Sequence, residues 1–368
     1  MKIITVVGAR PQFIKAAVGS RELRKRHTEI LVHTGQHYDP KMSDVFFQEM
    51  GIPQPDYNLG ITGGSHAQMT ARMLVALEEV FVRERPDALL VYGDTNSTLA
   101  SALCAVKLHL PVAHMEAGNR FGSLDSPEEV NRILTDHVST LRFACVQSAW
   151  ESLQAEHLQQ GSFLVGDPMY DAFLYYANQS HKTPPADAED LEGRAVPIPQ
   201  RFYYMTCHRQ ENTENPQTLQ NILDAMEELD APVLYPVHPR NEGRARELHK
   251  ARRYQNIRFL QPVGYLTSLY LVRHAQAVVT DSGGVQREAF FAGRPCVTVL
   301  DFVVWPETMV GNRNQLSKPE KDDILAKLAA RQTVDPLYQP FGDGHAARRM
   351  VCRLEEWDAQ RQGAKSRP

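Results

Sequence analysis

The chain has 368 residues, of which 42% are hydrophobic and 23% charged, and its formal net charge is −4. This composition is typical of a globular protein with two domains and gives no indication of binding to nucleic acid or to an anionic membrane. No apolar run approaches the roughly 20 residues of a membrane span, and the N-terminus is interrupted too early for a signal peptide. The five cysteines are odd in number and far apart, which predicts reduced thiols and a cytoplasmic protein.

The chain begins with the strand, turn and helix that are typical of a doubly wound α/β domain. An apolar run at 2–7 predicts a buried strand, and Pro11 stands near the first position of the next helix. The turn is not G-x-G-x-x-G, so it is a weak indication of a nicotinamide site. The helix start offers N–H groups to an anion, with positive charge from Arg10 and Lys15. A solvated helix face is an equally good interpretation of Lys15.

No metal site is predicted in the next stretch. A second strand at 29–33 ends near His33 and His37, which are four residues apart. This spacing binds zinc when it falls on a helix, but Gly35 interrupts it and no glutamate follows the first histidine. A helical pattern then spans 39–50.

Three carboxylates lie where a strand ends or a helix begins. Asp94 follows a predicted strand at 88–92, Glu116 follows one at 111–115, and Glu128 lies in the first turn of a helix opened by the sequence S-P-E-E. Because the ends of parallel strands converge on one cleft, these acids predict a site for acid/base chemistry. Each has a structural alternative: Asp94 as a helix cap, and Glu128 with its neighbour as partners of the helix dipole.

The second half of the chain repeats the alternation after a break. Residues 179–199 are polar and proline-rich, which predicts a linker. His208 follows a strand at 202–206, where it either faces a diphosphate or is a packed, hydrogen-bonded histidine. The last clear strand lies at 295–300, and a final amphipathic helix at about 344–357 precedes a tail that we expect to be disordered.

A D-S-G-G sequence after a strand in the second half predicts a ligand-binding turn. Gly283 and Gly284 let the backbone approach a ligand closely, and the helix that starts there points N–H groups towards it. Glu288 follows soon afterwards, where a carboxylate suits a ribose diol. The alternative is an acid that opens the helix and has no ligand.

Together, these motifs resemble the non-hydrolysing UDP-N-acetylglucosamine 2-epimerase family. The resemblance covers nearly the whole chain up to about residue 310. The ordered segments that carry it are GARPQFIKAA, VHTGQHYD, VYGDTNSTLA, HMEAG, PEEVNR, CHRQENT, VHPR, VGY and TDSGGVQREAFFAGRPC. Within the family, GARPQFIKA, PDYNLGI and TDSGGVQREAFF look most like the branch that acts on UDP-2,3-diacetamido-2,3-dideoxy-glucuronate.

The resemblance implies a glycosyltransferase-B-like fold, with two Rossmann-like doubly wound α/β domains and the site in the interdomain cleft. We expect the first domain at 1–178, the linker at 179–199, a UDP-binding domain at 200–340, and a helix at 344–359 that packs back on the first domain. The implied reaction eliminates UDP from a UDP-2-acetamido sugar to give a 2-acetamidoglucal, then adds UDP back with C2 inverted. The family also implies a homodimer that acts on a UDP-sugar without a metal or cofactor.

The residues that match the family's site fall into groups by role. The catalytic acids match Asp94, Glu116 and Glu128. The groups that meet the charge of the leaving UDP match Arg10, His208 (also counted as catalytic), Ser282 and Gly283, with Gly284 beside them. The ribose contact matches Glu288, and other positions near the pocket match Lys15 and Arg132.

Two departures from the family pattern leave the identity of the sugar undecided. Asn119 stands where the family usually has leucine. In the segment 300–307, apolar residues replace an arginine, a threonine and a glutamate of a loop that lies by the hexose in the family. The sugar is therefore UDP-GlcNAc or the diacetamido-uronate. A glycosyltransferase of the same fold and a non-enzymatic UDP-sugar sensor are the alternatives, and the three acids favour the epimerase over both.

Overall fold

The computed structural model describes residues 1–35, 49–180 and 188–365. Most of the helix predicted at 39–50, His37 and the side chain of Arg10 lie outside the described residues. Of the helices described, none is long and apolar enough to cross a membrane.

The chain forms two compact units. The first comprises Met1–Leu174 and Gln339–Pro368, so it contains both ends of the chain, and the second comprises Tyr175–Tyr338. Each has a parallel sheet with helices packed on it, as the alternating pattern of the sequence predicts.

A parallel sheet forms the centre of the first unit, with the strand order β3-β2-β1-β4-β5-β6-β7. Its strands are β1 (Lys2–Val7), β2 (Thr28–His33), β3 (Tyr57–Asn58), β4 (Ala88–Tyr92), β5 (Val112–Met115), β6 (Leu141–Ala144) and β7 (Ser162–Leu164). The helices are α1 (Arg10–Leu23), α2 (His66–Glu84), α3 (Asn96–Lys107), α4 (Pro127–Val138), α5 (Gln147–Ala155) and α6 (Pro168–Ser180). The order reverses between β1 and β4, and the loops after these strands therefore flank a topological switch point.

The second unit repeats this arrangement. Residues Ala188–Glu189 (β8) and Ala195–Val196 (β9) form an antiparallel pair inside the predicted linker. The parallel sheet that follows has the order β12-β11-β10-β13-β14-β15. Its strands are β10 (Tyr203–Thr206), β11 (Val233–Pro236), β12 (Ile257–Leu260), β13 (Val278–Thr280), β14 (Cys296–Val299) and β15 (Asn314–Ser317). The helices are α7 (Gln210–Thr213), α8 (Pro216–Glu227), α9 (Glu242–Arg252), α10 (Tyr265–His274), α11 (Gly283–Phe291) and α12 (Lys321–Ala329).

Apolar side chains from helices fill both cores. In the first unit, Met73 and Leu77 of α2 pack in one cluster with Leu89 of β4. In the second, Met226 of α8 packs in a cluster with Tyr235 of β11. β4 is buried along its whole length, which is typical of a parallel strand covered on both faces.

The C-terminal helix α13 (Ala346–Lys365) belongs to the first unit, where it contacts α1. The Asp171 carboxylate accepts the N–H groups of Ala346 and Ala347 at 3.0 and 2.8 Å, so it caps the helix start. The prediction of a disordered tail at 360–368 is wrong for 360–365, which are helical, and residues 366–368 lie outside the described residues.

Candidate active site

The candidate acids of the first unit follow two neighbouring strands beside the switch point. β4 pairs with β1 on one side and with β5 on the other. Asp94 follows β4 and Glu116 follows β5, so both acids leave the same edge of the sheet. Lys15, on the helix after β1, joins them there.

Glu116 has a left-handed backbone conformation, with φ of 73°. This conformation costs a non-glycine residue on the order of 1–3 kcal/mol and persists only where the surroundings fix it. The N–H groups of Glu116 and Ala117 both donate to Phe143 O, at 3.0 and 3.1 Å. Gly118 then has φ of 86°, so the chain turns sharply at the end of β5. Strain of this kind is concentrated at functional sites.

Lys15 and Glu116 form an ion pair whose side chains are only 5% and 8% exposed. Lys15 Nζ donates to Glu116 Oε2. Both atoms lie close to Gly93, at 3.6 and 3.4 Å from the place that a Cβ on this glycine would take. The interpretation of Lys15 as a solvated surface residue is therefore wrong, since its charge is directed to the acid after β5.

The turn after β1 is tied to the loop after β4 by Gln12. Its Oε1 accepts the N–H groups of Gly8 and Ala9 at 2.7 and 3.0 Å, and its amide donates to Tyr92 O at 2.7 Å. A Cβ on Gly8 would lie 2.2 Å from Ser97 Oγ, so only glycine fits there. Two of the N–H groups at this predicted anion site are thus bonded to Gln12.

Asp94 forms an ion pair with Arg132 of α4, which also donates to Glu129 Oε2 at 2.8 Å. The Asp94 side chain is 31% exposed and that of Arg132 only 3%, so the carboxylate is partly open and its partner is fixed. Asp94 does not cap α3. Thr95 occupies that position, where its Oγ1 accepts the Thr98 N–H at 3.4 Å.

The two glutamates that open α4 have different surroundings. Glu128 is exposed, and its carboxylate accepts the Ser126 hydroxyl at 2.9 Å. Glu129 is buried and accepts the N–H groups of Phe121 and Gly122 at 2.8 and 3.0 Å. Glu129 therefore fixes the loop before the helix as well as meeting the helix dipole. The sequence gives no sign of this difference, because adjacent acids in a first helical turn look alike.

His114 and Asp136 form a fully buried pair that the sequence does not reveal, since 22 residues separate them. His114 Nδ1 lies 2.7 Å from Asp136 Oδ1, and Nε2 lies 2.7 Å from Gly93 O. Asp136 Oδ2 accepts the Gly118 N–H at 3.0 Å and contacts Arg120 at 2.8 Å. Burial would raise the pKa of Asp136, but the charges and hydrogen bonds of His114 and Arg120 outweigh it and hold this pKa below its ordinary value.

In the second unit, His208 follows β10 and Asp281 follows β13, two strands that pair in the sheet. His208 Nδ1 lies 2.9 Å from Asp281 Oδ1, and the N–H groups of His208 and Arg209 donate to Oδ2 at 2.8 and 2.9 Å. Burial would raise the pKa of Asp281, but His208 and these N–H groups lower it from 3.8 to about 2. The His208 side chain is 40% exposed, so its ring is held by Asp281 but is not fully packed in the core.

The start of α11 has the form of an anion site. Ser282 is its N-cap, and its hydroxyl oxygen accepts the Val285 N–H at 3.4 Å. Gly283 and Gly284 take the first two helical positions, whose N–H groups have no partner within a helix. A Cβ on Gly283 would lie 3.0 Å from Val304 Cγ1. The loop after β14 therefore packs beside this helix start.

That loop carries the apolar residues that depart from the family pattern. The Arg209 guanidinium lies 5.1 Å from the centre of the Phe302 ring, and that of Arg287 lies 4.1 Å from the Trp305 ring, both within range of a cation–π contact. The substituted residues thus lie next to the predicted UDP contacts of the second unit.

Glu288 is buried in α11, with 4% of its surface exposed. Burial, and then the charge and hydrogen bond of Glu288, raise the pKa of Tyr265 well above its ordinary value. Glu288 lies beyond the first turn of the helix, so the interpretation of an acid that opens the helix is wrong. Across the described ranges, no group of three or more His, Cys, Asp or Glu side chains is placed to hold a metal ion.

Comparison with known proteins identifies relatives along nearly the whole chain. The sequence profile described as UDP-N-acetylglucosamine 2-epimerase matches residues 21–355. A Pseudomonas aeruginosa protein named UDP-2,3-diacetamido-2,3-dideoxy-D-glucuronate 2-epimerase is 44% identical over 361 residues, covering 95% of this chain and 98% of the relative. A Methanococcus maripaludis protein named UDP-N-acetylglucosamine 2-epimerase homolog is 42% identical over 356 residues, with coverage of 95% and 98%.

Comparison with solved structures identifies the same family. The structure of Methanocaldococcus jannaschii UDP-GlcNAc 2-epimerase in complex with UDP-GlcNAc and UDP matches with a TM-score of 0.86 and 35% identity, covering 97% of this chain and 100% of that one. The predicted fold class, two doubly wound α/β domains of the glycosyltransferase-B-like kind, is confirmed. The chain belongs to the UDP-N-acetylglucosamine 2-epimerase family.

Proposed function

We propose that this protein is an isomerase that inverts C2 of a UDP-2-acetamido sugar. The observation that carries the proposal is the arrangement of Asp94 and Glu116 after neighbouring strands, each paired with a buried cation. A C2 proton beside an acetamido group is only weakly acidic. Its removal therefore needs a positioned carboxylate, and its return from the opposite face needs a second acid.

The reaction has two steps, and atoms and electrons balance in each. A carboxylate takes the C2 proton while the bond from C1 to UDP breaks, and the electron pair of that bond leaves with the phosphate oxygen. The products are UDP and a 2-acetamidoglucal. UDP then attacks C1 as an acid delivers a proton to the other face of C2. There is no net redox change, so we propose no redox cofactor.

The proton transfers are assigned to Asp94, Glu116 and Glu128. The first two combine the family match with a fixed position beside a cation. Glu128 keeps its assignment on the family match alone, because its exposed carboxylate contacts Ser126. The family match places Lys15 and Arg132 near the pocket, and in the proposal they hold the two paired acids in position.

The binding of UDP is assigned to the second unit. The charge that develops on the diphosphate is met by two groups. One is His208, which Asp281 holds in place, and the other is the start of α11 at Ser282, Gly283 and Gly284. On the family match, Arg10 is also assigned to neutralise this charge. Glu288 takes the ribose contact on the family match, from a buried position beyond the first turn of α11.

The sugar has two candidates. UDP-GlcNAc is in the names of the 42% identical relative and of the matching solved structure, whereas the 44% identical relative is named for UDP-2,3-diacetamido-2,3-dideoxy-D-glucuronate. The apolar loop after β14 supports the second candidate, since it replaces polar side chains beside the UDP contacts with groups that suit an acetamido methyl group.

Proton NMR in heavy water tests the function. The protein is incubated with each UDP-sugar, and the C2–H signal is followed. We expect deuterium at C2 and a mixture of gluco and manno epimers with at least one of them. UDP release that requires an added acceptor would show a glycosyltransferase instead, and binding without any exchange would show a sensor.

We also propose a cytoplasmic homodimer that supplies polysaccharide biosynthesis, on the family resemblance. Sedimentation at twice the chain mass of 41.5 kDa would support the dimer, and sedimentation at the chain mass would contradict it.

A further inference from the structure

His114 and Asp136 have no role in the reaction as assigned so far, yet each touches a loop that carries a candidate acid. Both side chains are fully buried. His114 Nε2 lies 2.7 Å from the carbonyl oxygen of Gly93, the residue before Asp94. Asp136 Oδ2 accepts the N–H of Gly118 at 3.0 Å, two residues after Glu116.

The hydrogen-bond partners of His114 define its protonation. The Gly93 carbonyl can only accept, so Nε2 must carry a proton. Nδ1 lies 2.7 Å from Asp136 Oδ1. Asp136 is in the ionised form that Arg120 and the Gly118 N–H favour, so it also accepts, and Nδ1 must carry a proton as well. Both ring nitrogens are donors only in the imidazolium form.

Charged side chains from neighbouring segments lie around the pair. Arg120 contacts Asp136 Oδ2 at 2.8 Å and pairs with Glu156, the residue after α5, at 2.6 Å. Arg142 of β6 donates to the Asp136 carbonyl oxygen at 3.1 Å. His137 lies 3.1 Å from Glu156.

Arg120 contacts the carboxylate of Asp136, and Arg142 donates to its backbone carbonyl oxygen. Neither arginine takes the place of His114 as the donor to the Gly93 carbonyl oxygen.

We propose that the His114–Asp136 ion pair is a positioning pair that fixes the separation of Asp94 and Glu116. One end of the pair holds the backbone before the first acid, and the other holds the backbone after the second. The proposal rests on the function proposed above, because it concerns the geometry of that reaction. A catalytic carboxylate displaced by about 1 Å loses on the order of 100-fold in rate.

Variants of the pair test this role. In Asp136→Ala both carboxylate oxygens are lost, so neither His114 Nδ1 nor the Gly118 N–H keeps its acceptor, and His114→Gln removes the cation. We expect both to slow C2–H exchange on the order of 100-fold, while affinity for UDP stays within about twofold. Asp167→Asn is the matched control, since Asp167 is also buried in the first unit and accepts the Met169 N–H at 2.8 Å. The control should lower the melting temperature without slowing exchange per folded molecule.

The outcomes separate the two proposals. No exchange in the unaltered protein would overturn the proposed function. Exchange in the unaltered protein with the same rate in folded Asp136→Ala would overturn the positioning role.

Neutron diffraction from deuterium-exchanged crystals of the unaltered protein tests the pair without any variant. We expect deuterons on both ring nitrogens of His114. A bare Nδ1 or Nε2 would overturn the inference.

Discussion

Glu116 combines a strained backbone with a buried charge. Its φ of 73° and its pairing with Lys15, which lies 101 residues earlier in the chain, fix the carboxylate at the end of β5. An acid at this strand end was predictable from an apolar run that stops at a carboxylate. Its partner was not, because the contact between Lys15 and Glu116 is set by how β1 and β5 flank β4, and no local pattern records it.

Asp281 should make stability depend on pH at the acid end of the range. Its pKa is lowered from 3.8 to about 2 in the folded protein. Because the folded value lies below the unfolded one, the ionised carboxylate stabilises the fold above about pH 4, and this contribution is lost as the pH falls from about 4 to about 2. The contribution is about 2 kcal/mol. Urea unfolding should show that Asp281→Asn destabilises the protein more at pH 5 than at pH 3.

The control for this prediction is Asp230→Asn in the same unit. Asp230 is 63% exposed and pairs with an exposed Arg201, so solvent screens the pair and the replacement should change stability little at either pH. An equal effect of Asp281→Asn at both pH values would show that its charge does not stabilise the fold.

At the scale of elements, the loop after β5 depends on its close approach to α5. A Cβ on Gly118 would lie 2.2 Å from the carbonyl oxygen of Ala149, whereas one on Gly122 would meet nothing within 4 Å. Both glycines have positive φ, of 86° and 78°. Gly122→Ala should therefore cost only the conformational penalty of roughly 1–2 kcal/mol. Gly118→Ala should cost on the order of 4 kcal/mol, measured by urea unfolding, and equal costs would refute this packing.

The strands and helices that carry the site were largely predictable from hydrophobic pattern. The strand at 88–92 and the helix that begins at Pro127 lie where their sequences predict. β15 was missed because its sequence, NQLS, has no apolar alternation, and it forms by pairing with β14 at the sheet edge. The different burial of Glu128 and Glu129 was not predictable either, since it depends on the loop that folds over α4.

At the scale of the whole molecule, the chain returns to its first unit after completing the second. Met350 and Leu354 of α13 are buried in the first unit. A chain that ends at Tyr338 should therefore lose amide-exchange protection in β1 and β4 of the first unit, because α1 loses the helix that covers it. Protection in the second unit should persist. Equal loss in both units would contradict this division of the fold.

The two units also divide the proposed chemistry, with the acids in the first and the UDP contacts in the second. Replacing an acid by its amide should therefore slow proton transfer and leave nucleotide binding intact. General acid or base groups contribute roughly 10²–10⁴-fold to rates, which is the loss expected in Asp94→Asn and in Glu116→Gln.

The most direct measurement is C2–H exchange in heavy water for these two variants, with UDP affinity measured by calorimetry on the same samples. We predict that exchange falls by roughly 10²–10⁴-fold in each while the Kd for UDP is unchanged. Exchange at the unaltered rate in both variants would contradict the assignment of Asp94 and Glu116 as the groups that move the C2 proton.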